Sequence, residues 1–170
     1  MKGTSDAVVT ALSNLSAGLW RIQELLELLT YRLEVQHVLI ETGRTRWMGR
    51  STREIEVVIG EMREAELMRS VDAGPVCDLL GLPEDTPLSE IAAASPAPWD
   101  DVLDEHRDSL TRVTQELSQL SRSNSAMLEA SYKAVQETLD RFNHAQQDST
   151  YTAMGTRASG SGRHLFDQKS

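Results

Sequence analysis

Cysteine is almost missing from this chain. Cys77 stands alone among 170 residues, so no internal disulfide can form, which fits a reducing compartment. Aromatic residues are scarce at 5%. A chain so poor in large rings fills a narrow seam more easily than a thick core, which favours elongated helices over a compact α/β domain. No run of roughly 18 apolar residues occurs, so no membrane-spanning helix is expected. Positive charge is in deficit, with 17 Lys and Arg against 26 Asp and Glu and a net charge of −9. Non-specific binding to nucleic acid rests on basic contacts to phosphates, and this balance disfavours it. Polar residues follow Lys2 too soon for a secretory leader, so a cytoplasmic location is expected.

What is present is helical periodicity. Leu12, Leu15, Leu19, Ile22, Leu26, Leu29, Leu33 and Ile40 recur at steps of three and four, with Gln36 in the gap. That spacing predicts a long heptad helix over about 5–42. Leu25, Leu28, Val35 and Leu39 form a stripe beside it, wide enough for more than one partner helix. Gly43 is a fitting C-terminal stop. Ser51-Thr52-Arg53-Glu54 reads as a capping box opening a second helix over about 51–72, ended by Gly74-Pro75. The short bend between them makes the two helices antiparallel neighbours.

Residues 73–97 read as a connector carrying two short helical turns. One is stopped at Gly81, and the other opens with Thr86 as cap and Pro87 at its first position. A third long helix follows over about 98–145. Its seam is Leu103, His106, Leu110, Val113, Leu117, Leu120, Asn124 and Met127. Beyond Met127 the stripe shifts by one residue to Leu128, Val135, Leu139 and Phe142, with Ser131 in register. The expected fold is all-α: an elongated antiparallel helical hairpin or three-helix bundle with long coiled-coil-like helices. A helical region 1–147 would be followed by a flexible tail over 148–170, rich in Gly and Ser.

No residue group proposes a reaction. The four histidines are scattered, and no phosphate-cradling glycine loop occurs. His106 reads as a helical histidine beside Asp104, Glu105 and Asp108, and Cys77 as a small hydrophobe. Neither a catalytic site nor a metal or cofactor is expected. Arg44, Arg46, Arg50 and Arg53 cluster with Trp47 at the bend. They either touch nucleic acid or balance the acidic remainder and cover the end of the bundle. The shifted stripe after Asn124 is either internal core or an apolar surface for a partner helix.

Four segments resemble the FlgN-type flagellar export chaperones. They are the leucine-rich opening from Leu19 to Leu29 with Val38-Leu39-Ile40-Glu41-Thr42-Gly43, and the helical run from Glu54 to Arg69. The others are the stretch Leu117-Ser118-Gln119-Leu120-Ser121-Arg122-Ser123-Asn124-Ser125-Ala126-Met127-Leu128-Glu129-Ala130-Ser131, and the late Tyr151-Thr152-Ala153-Met154-Gly155. The resemblance implies a cytoplasmic, non-enzymatic chaperone without a cofactor. Its implied clients are the hook–filament junction proteins FlgK and FlgL, held by their C-terminal regions and delivered to the export gate protein FlhA. It further implies that Asn124, Met127, Leu128, Val135, Leu139 and Phe142 hold the substrate, and that Tyr151 meets the gate, with Tyr132 as a competitor. Nucleic acid and membrane insertion are not expected, and a homodimer is open. Two other readings stand beside this one: a self-associating structural coiled coil, and a helical regulator of a transcription factor.

Overall fold

The computed structural model describes the backbone of residues 2–158 and the side chains of residues 5–142 and 144. The described residues are helical and without strands. The elements are α1 (Lys2–Glu41), a 3-10 turn (Thr45–Trp47), α2 (Met48–Leu80), α3 (Leu88–Ala94) and α4 (Trp99–Ala158). The chain divides between Met127 and Leu128 into two units. The first holds α1, α2, α3 and the beginning of α4; the rest of α4 lies in the second.

The α1 seam is buried as its spacing predicts except at its end, where Ile40 is half-buried. Leu12, Leu15, Leu19, Ile22, Leu26, Leu29, Leu33 and Gln36 are all inside, and Leu25 of the neighbouring stripe joins them. Two faces of α1 are therefore used. Leu25, Leu29 and Leu33 pack with Ile55 and Val58 of α2. Ile22 and Leu26 pack with Val113 of α4. At the other end Leu12, Leu15 and Leu19 meet Val76 and Cys77 of α2, Ile91 of α3 and Leu103 of α4.

Polar contacts fix the directions of the helices. Arg21 pairs with Glu61 and Arg32 with Glu54, so residue numbers fall along α2 as they rise along α1. Those two helices are antiparallel. Ser16 bonds His106 and His37 bonds Asn124, so numbers rise together along α1 and α4. Those two are parallel.

The helix ends explain the chain's turns. Gly43 and Gly81 both adopt left-handed backbone, with φ of 64° and 69°. Each sits in the same double-bonded cap. Gly43 N–H donates to Ile40 and Arg44 N–H to Leu39; Gly81 N–H donates to Asp78 and Leu82 N–H to Cys77. This is the Schellman arrangement, in which glycine avoids the steric cost of positive φ.

The structure corrects the sequence reading at four helix boundaries, three of them on α2 and α3. The second helix does not stop at Gly74-Pro75 but runs on to Leu80 with Pro75 inside it. Pro75 and Val71 face solvent, where water can take up the carbonyl that proline leaves without a donor, while Ala73, Val76 and Cys77 on the opposite face are buried. The connector thus has one separate helix, since Leu79 and Leu80 end α2. The capping box also fails. Helix α2 begins at Met48, so Ser51 is already inside a helical turn and buried. Glu54 bonds Arg32 and Arg50 instead. At α3 the cap is Pro87, one residue later than expected, and its carbonyl accepts from Glu90 and Ile91. Thr86 turns its hydroxyl to the Pro83 carbonyl.

Helix α4 continues to Ala158, past the point near 145 where the apolar period stops. Residues 159–170, including Leu165, Phe166 and most of the Gly/Ser run, lie outside the described residues.

Candidate functional site

The seam of α4 begins as core. Leu103 and Val113 are buried, and Leu110, Leu117 and Leu120 pack against the same clusters. Two polar residues on this seam are buried as well, and each has found a partner on α1. His106 Nε2 lies 2.9 Å from the Ser16 hydroxyl, and its ring meets Trp20 edge-on at 4.9 Å. The partner is thus Ser16 and not the nearby carboxylates; Asp104 and Asp108 pair with Arg107. Burial pushes the His106 pKa below its ordinary value, against the opposing pull of Glu105.

Asn124 is more tightly engaged. Its Nδ2 donates to the Leu33 carbonyl at 2.8 Å and to Gln36 Oε1 at 3.3 Å. Its Oδ1 accepts from His37 Nδ1 at 2.7 Å. At 2% exposure it has no surface left for a partner protein. A buried amide on a heptad seam fixes axial register, because sliding by a turn strands its donors and acceptors. Asn124 therefore positions α4 against α1, although the resemblance had grouped it with the substrate-holding residues. Met127, the next of that group, is half-buried.

The other residues of that group are different. Leu128 is 40% exposed, Val135 57%, Leu139 52% and Phe142 64%. Tyr132, at 67%, belongs with them. The stripe Leu128, Tyr132, Val135, Leu139, Phe142 advances by four, three, four and three. All five side chains fall on one face of the helix over roughly 20 Å. The sequence reading placed Ser131 in that register and overlooked Tyr132. The signal was available: from Leu120, steps of four through Asn124 and Leu128 lead to Tyr132. Such a run of fours rotates the apolar stripe around the helix. The outer flanks carry Lys133, Glu137, Asp140 and Arg141, while Ser131, Gln136 and Thr138 border the stripe without charge.

Large apolar side chains held open along a helix are unusual. An isolated exposed leucine needs no explanation; here five large apolar side chains share one exposed face. Tyr151 lies within α4, but its side chain is outside the described residues.

The family model named FlgN protein matches residues 8–159. The chain belongs to the FlgN family. It is accordingly a flagellar export chaperone, and its all-α coiled-coil architecture agrees with that membership. The match takes in both units, including the whole exposed stripe. No curated protein and no solved structure shows significant similarity to it. Among the described residues no helix is long and apolar enough to cross a membrane.

Proposed function

We propose that this FlgN-family chain is a non-enzymatic holder of hook–filament junction proteins of the FlgK and FlgL type. Leu128, Tyr132, Val135, Leu139 and Phe142 receive an amphipathic helix from the substrate's C-terminal region, with Met127 as an adaptable contact at the edge. The observation that supports this is the exposure of all five side chains at heptad spacing. Delivery to the export gate protein FlhA belongs to the same reading, with Tyr151 as the gate contact. The work would take place in the cytoplasm, where the substrate is made.

The energetics suit a protein that must hold and then release. The stripe is presented on a formed helix, so little backbone ordering is required of the chaperone. Fully burying one such side chain is worth roughly 1.5–3 kcal/mol. The five are already partly covered, at 40–67% exposed, so burying the rest adds about 4–8 kcal/mol, comparable to an association cost of about 4–15 kcal/mol, which favours a moderate over a tight affinity. Uncharged borders leave selection to shape and apolar spacing, which allows one surface to accept more than one client.

Co-expression with the organism's own FlgK-like and FlgL-like proteins tests the reading. Capture should require the substrate's C-terminal segment and should be lost in the Leu139→Asp/Phe142→Asp double variant, with far-UV helicity nearly unchanged. Capture that survives both changes removes the stripe from the account. A second reading is self-association through the same stripe, favoured by its uncharged borders. It predicts concentration-dependent dimers that the double variant abolishes, and no capture of either client.

A further inference from the structure

The bend between α1 and α2 concentrates positive charge in a chain that otherwise lacks it. Residues 44–53 contain Arg44, Arg46, Arg50 and Arg53 and no carboxylate, in a protein of net charge −9. One of the four is neutralised: Arg50 binds Glu54 at 2.8 Å, and Glu54 also holds Arg32. Arg44, Arg46 and Arg53 form no ion pair among the described residues. Besides Glu54, the next acids along the chain are Glu41, which sits 3.8 Å from His37 on α1, and Glu56, three residues beyond Arg53.

An aromatic ring sits at the middle of this charge. Trp47 is 42% exposed, and the Arg46 guanidinium stacks over it at 5.0 Å. Residues 41–47 are all exposed. The patch is thus an apex where a helical hairpin turns, not a groove. A single strand of nucleic acid is held by grooves that follow its backbone between stacking rings. An apex with one indole and several guanidinium groups matches a flat anionic surface instead. Indole rings favour the headgroup region of a bilayer, and nearby arginines pair with its phosphates. The acidic remainder of the chain does not prevent this, because charges more than about 8 Å away are largely screened at physiological salt.

From this geometry we infer that the α1–α2 turn is a peripheral membrane contact, in which Arg44, Arg46 and Arg53 bind anionic phospholipid headgroups and Trp47 enters the interface. No helix is inserted, and the contact is reversible. It is independent of the client-binding stripe, which lies on residues 128–142 of α4.

Flotation of the full-length protein with vesicles tests it. Vesicles of phosphatidylcholine with roughly a third phosphatidylglycerol should carry the protein at about 0.15 M salt, and pure phosphatidylcholine should not. Neutralising Arg44, Arg46 and Arg53 to Gln should weaken binding about fivefold for each arginine changed. Trp47→Phe should remove the quenching of indole fluorescence by brominated lipid, although Trp20 and Trp99 remain. Failure to float with anionic vesicles overturns the inference. So does binding that the triple Gln variant leaves unchanged, or tighter binding to a poly-uridine strand than to the vesicles at the same salt.

Discussion

Between Leu103 and Asn124 the seam of α4 is closed, and between Leu128 and Phe142 it is open. Both stretches have apolar residues at helical spacing, so periodicity alone does not distinguish them. Their polar members do. In the closed stretch His106 and Asn124 are buried and bonded to Ser16, Leu33, Gln36 and His37 of α1. In the open stretch the polar group on the stripe, the Tyr132 hydroxyl, accepts from Gln136 of its own helix among the described residues. A seam whose polar groups are satisfied by another helix is assembled. A seam whose apolar groups remain exposed is left uncovered by the other described residues.

The sharpest way to break this contrast is to truncate one leucine in each stretch. Leu103→Ala empties a fully buried position and should cost about 2–5 kcal/mol in urea unfolding. Leu139→Ala should change stability by no more than about 0.5 kcal/mol, while weakening client capture. Equal stability losses would mean that both stretches are core. Next in size is Asn124→Ala, which leaves the Leu33 carbonyl, Gln36 and His37 without their amide. It should destabilise by about 1–3 kcal/mol. A variant as stable as the parent would show that Asn124 does not fix register.

Smaller effects sharpen the account through pH. The folded-state pKa of His106 lies below the unfolded value because burial disfavours the imidazolium. The unfolded chain therefore binds the proton more readily, and stability rises with pH across this window. The His106 contribution is complete above the unfolded value near 6.5 and declines as pH falls toward the folded value. His106→Gln should flatten that part of a urea-midpoint profile; an unchanged slope would assign the dependence elsewhere. Glu54 acts lower on the scale. Its hydrogen bond from Arg50 holds its carboxyl below the ordinary range, assisted by the Arg32 charge and opposed by burial. Its contribution is present above the ordinary carboxylate value and is lost as pH falls through the depressed one. Glu54→Gln should remove that component from the acid limb of the same profile.

Much of this fold is legible in the sequence because it is periodic. The α1 seam from Leu12 to Gln36 and the α4 seam from Leu103 to Asn124 need only a count of threes and fours. The stop at Gly43 needs only the rule that glycine accepts positive φ. What escapes such reading depends on distant residues. Pro75 looks like a terminator until Ala73, Val76 and Cys77 are seen to be buried. Ser51 and Glu54 look like a cap until Arg32, on another helix, takes the carboxylate. Asn124 is grouped by resemblance with the substrate-holding residues until its partners on α1 appear, a long way off along the chain. Tyr132 is a different case, missed because a strict heptad was extended through a run of fours.

Hydrogen exchange on the full-length chaperone, free and with a client's C-terminal segment, tests the central claim most directly. The account predicts that amides over 128–142 gain protection on binding, while those over 103–124 are protected in both states and do not change. Strong protection over 128–142 before the client is added, or new protection confined to another helix, would contradict it.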